Sequence, residues 1–463
     1  MKISIIGAGS IIFTRKLIKD LLSYPDLRNV KISLMDIDSE RLDITGKIVE
    51  ELIIEAGSNT RIVKTNDLES AVEKSDFVIN TVQIGGQAAT EIDFDIPEKY
   101  GLKQTIADTH GVGGIFRFLR TVPFLRKLVS VVERKAPGAL LINFTNPMSM
   151  CMWYIKSISD QPAIGLCHSV PHTVRQIAGY IGLDSRDINF SIAGINHMAW
   201  VLELSDGGRD LYPLLREAME NPAISAMDPV RFDIMKRFSY FVTESSEHMS
   251  EYVPFYIKNP AEIDRLNIPI REYLKRLERH AKAYEIYKDV YIKGLTYRKS
   301  EGEILYPQYF GAESSAEEAT KEYAIEIIDS LVNSHTREVY AIVENRGAIE
   351  NLPFTAQVEV PCIVNGNGIR PVCIGALPTQ LAALNMSQIQ VQQLAVKGAL
   401  EGSKDCIKYA LMLDPLASSI LTTKEISDMT EELFQAHAVY LDEIFNLRAM
   451  KGDYSIDNKK GNS

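Results

Sequence analysis

The sequence predicts an α/β protein, with a parallel sheet at the N-terminal end and a mixed, helix-rich α/β part behind it. Two observations carry that expectation. Short apolar runs alternate with helix-length amphipathic stretches through the first third of the chain, and after about residue 193 the texture changes to long polar helical patterns. Strands separated by helix-length segments read as βαβ units, which build parallel sheets. Such a sheet is covered on both faces, so its strands are continuously apolar.

Taken in order, Lys2–Ile6 is strand-like and Phe13–Leu22 has helical spacing. Val30–Met35 is strand-like again, and Arg41–Glu55 is helical. Ile62–Thr65, Phe77–Thr81 and Ala139–Asn143 read as further buried strands. Helical patterns follow at Pro229–Phe238, Ile270–Tyr287 and Ala316–Asn333. Val358–Val364 and Val372–Ala376 are strand-like, and Ser387–Leu447 is helix-rich. The resulting division is 1–193, 194–450 and a polar tail over 451–463, which is expected to be loose. No Gly/Ser-rich linker separates the first two parts, so they are expected to pack tightly.

The bulk numbers exclude several classes of function. At 463 residues with 46% hydrophobic and 24% charged residues, the composition is that of a globular protein with a large core. The five cysteines are odd in number, and no C-x-x-C pair occurs, which argues for a reducing compartment rather than a disulfide framework. The net charge is −11 with no stripe of Lys and Arg, so nucleic acid is not an expected partner. The apolar N-terminus is broken by glycines within a few residues, so it reads as a buried strand and not as a signal peptide. No stretch of about 18 apolar residues is present, so no membrane association is expected, and the expected setting is the cytoplasm.

Gly7-Ala8-Gly9-Ser10 follows the first strand directly and opens a helix. A turn of this kind lets the backbone approach a pyrophosphate and aims helix N–H groups at it. The third glycine of the usual G-x-G-x-x-G is replaced by Ile12. Support comes from Asp36, at the end of the next strand, where a carboxylate accepts ribose hydroxyls and repels a 2′-phosphate. Gly7, Gly9, Ser10 and Asp36 therefore form a candidate Rossmann-type NAD site, of the kind found in lactate and malate dehydrogenases. The bland alternative is a plain tight turn with Asp36 as a helix cap.

Three segments concentrate chemistry at probable strand ends: Asn143-Phe-Thr-Asn146-Pro147, Gly165-Leu-Cys167-His168-Ser169 and Gly194-Ile-Asn-His197-Met198. A thiolate and an imidazole are good ligands for a divalent metal. Two protein ligands leave coordination positions open, as a metal that grips substrate oxygens requires. Taken singly, Cys167 reads more readily as a core cysteine and His197 as a satisfied strand-end histidine. Their common placement on a dinucleotide-binding sheet shifts the balance toward a site.

These segments together resemble glycoside hydrolase family 4, and within it the melibiase-type α-galactosidases. The resemblance runs to about residue 440 and rests on Gly7-Ala-Gly-Ser, Met35-Asp-Ile-Asp, Gln83-Ile-Gly-Gly, Gln104-Thr-Ile-Ala-Asp-Thr and Gly113-Gly-Ile. It continues through Asn143-Phe-Thr-Asn-Pro-Met, Gly165-Leu-Cys-His-Ser-Val, Gly194-Ile-Asn-His-Met-Ala and Tyr240-Phe-Val-Thr-Glu-Ser-Ser-Glu-His. It implies a redox route to hydrolysis, an exception to two-carboxylate chemistry. NAD oxidises the sugar at C3, the C2 proton is removed, the glycosidic oxygen leaves C1, water adds, and C3 is reduced again.

By residue, the resemblance implies Cys167 and His197 as ligands of a divalent metal, Mn2+ by expectation, and Asn146 as a holder of substrate hydroxyls. His168 stands where phospho-sugar members carry an aspartate acid, and an imidazole with a pKa of about 6.5 can protonate a leaving oxygen at neutral pH. The competing role for His168 is to orient Cys167 or bind a hydroxyl. The C2 base falls among Tyr252, His248 and Glu247, with Tyr252 preferred. Phospho-sugar members carry an arginine before the Gly-Gly where this chain has Gln83, which cannot supply the charge for bidentate phosphate recognition. An unphosphorylated sugar is the expected substrate, an α-galactoside ahead of an α-glucoside or α-galacturonide. A homo-oligomer is expected. Arg117 and Arg120 are candidates for the sugar pocket, though surface or capping roles are commoner for arginine. The rival of another class is a 2-hydroxy acid dehydrogenase, which would share the dinucleotide turn but needs no Cys167–His197 metal pair.

Overall fold

The computed structural model describes residues 1–293 and 323–446. Six strands form a parallel sheet: β1 (Lys2–Ile6), β2 (Lys31–Met35), β3 (Arg61–Thr65), β4 (Phe77–Asn80), β5 (Leu140–Asn143) and β6 (Ala163–Gly165). Their order is β3-β2-β1-β4-β5-β6, and each pairing is parallel. This is the doubly wound order whose direction reverses between β1 and β4, the crevice where such sheets bind dinucleotides. β4 is buried along its whole length, in keeping with a strand covered on both faces.

Beyond β6 the same sheet continues with antiparallel pairings through β10 (Arg337–Glu344), β11 (Gln357–Asn365), β7 (Asn189–Ile195), β8 (Met198–Asp206) and β9 (Arg209–Asp210). The junction is narrow: Gly165 on β6 pairs with Ile342 on β10. Residue 193 therefore lies inside β7 rather than in a linker. Helices expected from periodicity are present as Ile11–Ser23, Ser39–Glu55, Pro229–Phe238 and Glu272–Tyr291. Tyr323–Asn333 is the described part of the helix expected from Ala316. The tail expected over 451–463 lies outside the described residues.

The expected strand at Val372–Ala376 requires correction. The strand that pairs with β11 is β12 (Gly368–Pro371), and 372–376 forms only an isolated bridge, Ile349 to Gly375. Asn365-Gly-Asn-Gly368 supplies a tight hairpin turn, so the antiparallel return starts immediately after it. All five cysteines are free. Among the described residues no helix is long and apolar enough to cross a membrane.

Candidate active site

The turn after β1 is built around two close approaches. Gly7 has φ of +90°, and a Cβ there would lie 2.9–3.0 Å from Thr81 and Val82 atoms of the strand end next door. At Gly9 a Cβ would stand 2.6 Å from Asp36 Oδ2. The Gly9 N–H donates to that oxygen at 2.7 Å, and the Asp38 N–H donates to Oδ1 at 2.9 Å. Asp36 thus helps hold the turn. Gly7, Gly9, Ser10 and Asp36 line one cleft of about 900 Å³, together with Gln83 and His168. Across it, the helix Glu272–Tyr291 contributes Tyr284, whose ring lies 4.1 Å from the Arg41 guanidinium.

His168 connects this cleft to a second cluster. It sits at the N-terminal boundary of the helix Ser169–Ile181, exposed, with its ring stacked on Phe144 at 5.8 Å. Its neighbour Cys167 has Sγ 3.3 Å from His197 Nε2. His197 occupies the turn between β7 and β8 with φ of +66°, a left-handed conformation uncommon outside glycine. The two ends of β6 and β7, separated in the sheet by β10 and β11, thereby converge on one point.

The other face of the His197 ring is held by a chain of polar groups. The Thr109 hydroxyl donates to Asp108 Oδ1 at 2.8 Å and lies 3.1 Å from His197 Nδ1, where its lone pair can accept a proton. Tyr252 OH is 3.3 Å from the same nitrogen. This arrangement turns Nε2 toward Cys167, the second-sphere device that orients metal-bound histidines. Glu244 Oε2 lies 3.6 Å from His197 Nε2, and Glu244 Oε1 lies 3.5 Å from His248 Nδ1.

Donor atoms of Cys167, His197 and Glu244 all fall within 4.8 Å of one another, and the same holds for Asp108, His197 and His248. The chemistry of this donor set fits a divalent cation. Burial opposes charging of His197, but Glu244 and then Cys167 outweigh it and raise the imidazole pKa to about 10. The carboxylate and sulfur around the imidazole thus favour positive charge at this point.

The remaining sequence candidates sort as follows. Asn146 Nδ2 donates to Asp108 Oδ2 at 3.4 Å, at the edge of this cluster. Tyr252 is fully buried, and that burial, then the carboxylates of Asp108, Glu251 and Glu244, hold its phenol pKa well above the ordinary value. His248 is buried, with Nδ1 2.8 Å from Ser245 Oγ, and burial lowers its pKa. Glu247 contributes its carbonyl, which accepts from Thr105 Oγ1.

Neither arginine is a surface residue. Arg117 donates to Asn146 O at 3.3 Å and to Tyr273 OH at 3.1 Å, beside the cluster. Arg120 is buried against Asp93 at 2.7 Å and donates to Ile84 O, so it shapes the Gln83–Gly86 turn. Asp93 also meets His437 Nε2 at 2.9 Å.

Asp108, Thr109, Glu244 and Glu359 have no role in the sequence reading. Asp108, Thr109 and Glu244 fall within segments quoted for the resemblance, where three polar residues follow an apolar pair (Asp108-Thr-His) or a Thr-Glu-Ser-Ser-Glu run closes on a histidine. That polar density was the available signal. For Glu359 the trace in the sequence is a carboxylate inside the strand-like run Val358–Val364.

Comparison with known proteins is consistent across the chain. Residues 2–183 match the family described as Family 4 glycosyl hydrolase, and residues 192–417 match its C-terminal domain. An α-galactosidase of Bacillus subtilis (strain 168) is 38% identical over 448 residues, covering 96% of this chain and 99% of that protein. An α-galactosidase of Rhizobium meliloti (strain 1021) is 33% identical, covering 95% and 89%. A 6-phospho-β-glucosidase from Thermotoga maritima, crystallised with manganese, NAD+ and glucose-6-phosphate, superposes with a TM-score of 0.76 at 23% identity, covering 95% of this chain and 99% of that one. At that identity the structural likeness speaks for the fold.

Proposed function

The chain belongs to glycosyl hydrolase family 4 and is a glycosidase, and from that premise we propose that it is an NAD- and manganese-dependent α-galactosidase acting on unphosphorylated α-galactosides. The observation that carries the reading is the approach of Cys167 Sγ to His197 Nε2, 3.3 Å apart, next to the His168 that lines the dinucleotide cleft. A dehydrogenase would not need that pair. The galactoside assignment draws on the two α-galactosidase relatives, and the unphosphorylated sugar on Gln83, an uncharged side chain in the cleft.

Gly7, Gly9, Ser10 and Asp36 would hold the dinucleotide, and Cys167 with His197 the metal. When bound there, the two supply reversible hydride transfer at the sugar's C3 and Lewis-acid polarisation of the adjacent oxygens. The chain's own residues do the rest. Asn146, fixed beside Asp108, orients sugar hydroxyls. Tyr252 would take up the C2 proton as a phenolate; its own phenolic proton, held on by burial and by the neighbouring carboxylates, has to pass to solvent first, which a dication held by Cys167 and His197 would favour. His168, exposed in the cleft and steadied on Phe144, gives a proton to the departing glycosidic oxygen.

The test is a panel of p-nitrophenyl α-galactoside, α-glucoside and α-galacturonide, assayed with NAD+, Mn2+ and a thiol reductant that keeps Cys167 reduced. Release of nitrophenol from the galactoside, dependent on both cofactors and with total NADH constant, is expected. Net NADH accumulation without hydrolysis would contradict the proposal.

A further inference from the structure

We propose that Glu244 is a third protein ligand of the same divalent cation, completing a Cys167–His197–Glu244 set. The inference rests on the proposed metal-assisted reading and extends it.

The separations match the task. With metal–ligand bonds of about 2.0–2.3 Å, donors on one cation stand roughly 3.0–3.6 Å apart. His197 Nε2 is 3.3 Å from Cys167 Sγ and 3.6 Å from Glu244 Oε2. The Glu244 side chain is 22% exposed and Cys167 is half-buried, whereas His197 is buried, so a cation can enter from the Cys–Glu side.

The backbone supports the same assignment. Glu244 has φ of +75°, a left-handed conformation that is strained for a non-glycine residue and persists only where its surroundings impose it. Here they do. The Glu244 N–H donates to Thr173 Oγ1 at 3.3 Å, in the helix that begins two residues after Cys167. The strained turn thus aims the carboxylate at the ligand pair. Its second oxygen faces His248, the kind of outer partner that fixes a ligating carboxylate. Thiolate and carboxylate together balance the charge of a divalent ion. For a six-coordinate cation, three positions then remain for substrate oxygens or water.

The experiment is Mn2+ titration of the full chain, followed by the electron paramagnetic resonance signal of the free ion, on the native protein, Glu244→Gln, Glu244→Asp and Cys167→Ser. Glu244→Gln is expected to weaken binding at least about tenfold, Glu244→Asp less, and Cys167→Ser strongly, with NAD affinity unchanged in all. Native affinity in Glu244→Gln alongside loss in Cys167→Ser would overturn the third ligand and leave the two-ligand site standing. Native affinity in both would overturn the metal reading as a whole. On the native protein, water-proton relaxation of bound Mn2+ gives an independent count: three inner-sphere waters are expected, and four would contradict the proposal.

Discussion

Glu359 Oε1 lies 3.3 Å from Ser169 Oγ, across 190 residues of sequence. Its other oxygen accepts from Asn196 Nδ2 at 3.4 Å. One buried carboxylate on β11 therefore ties the turn that carries Cys167 to the turn that carries His197.

Replacing Glu359 by Gln removes one acceptor and sets an amide against two donors. Mn2+ affinity is expected to fall about tenfold, the lower end of the loss when an outer-shell partner of a metal ligand is removed, because Glu359 acts through Ser169 and Asn196 and not on a ligand itself. NAD affinity should not change. Calorimetric titration with each cofactor checks both, and unaltered Mn2+ binding would show that the two turns hold their spacing without the carboxylate.

Asp36 sets the choice of dinucleotide. Asp36→Asn keeps an acceptor for only one of the two N–H groups that the Asp36 oxygens hold, and it removes the charge that repels a 2′-phosphate. NAD is expected to bind about tenfold more weakly, as charged hydrogen bonds of roughly 1.5–3 kcal/mol become neutral ones. NADP should bind more tightly than to the native chain. Fluorescence titration with both dinucleotides measures the ratio, and an unchanged ratio would remove Asp36 from the site.

Tyr252 is tested by loss of a single oxygen. Tyr252→Phe is expected to lower kcat by about 10²–10⁴-fold, the range for a general acid or base, while Mn2+ and NAD still bind. If Tyr252→Phe retains activity and His248→Gln loses it, the base is His248.

The N-terminal sheet was legible in the sequence because its inner strands are short, largely apolar runs, and the Gly7–Ser10 turn sits where the first one ends; the run Ile62–Thr65, expected to be buried, forms the edge strand β3 and is mostly exposed. Cys167 and His197 stood out for a related reason: each lies two residues past the end of a strand, β6 and β7. Glu244 and Glu359 left a polar trace in the sequence but not their roles, because their partners are brought to them only when the segments beyond β6 close against it. Arg120 resembled a surface residue since its partners, Asp93 on the helix Gly86–Lys99 and the Ile84 carbonyl before it, lie outside its own helix. Charge pairing at such distances leaves no periodic trace.

Asp414 illustrates a stability effect independent of the site. It is buried, and desolvation raises its pKa to about 6, above the ordinary carboxylate value, despite the Ala417 and Leu416 N–H groups. A folded-state pKa above the unfolded one means that ionisation costs stability. The cost grows as pH rises from about 4 to about 6 and is constant above that. Asp414→Asn, which keeps a helix-capping oxygen, should therefore stabilise the chain at pH 8, by at most about 3 kcal/mol, and gain little at pH 4. Denaturant unfolding at the two pH values checks the sign; a larger gain at pH 4 would contradict it.

The most direct test of the account is the fate of the hydrogen on C2. Hydrolysis of p-nitrophenyl α-galactoside in D2O, with NAD+ and Mn2+ present, is followed by proton NMR of the released galactose. Elimination across C1 and C2 predicts deuterium at C2 in the product. Galactose fully protiated at C2 would mean that the glycosidic bond breaks by direct displacement, and the assignment of Tyr252 as the group that takes the C2 proton would fail.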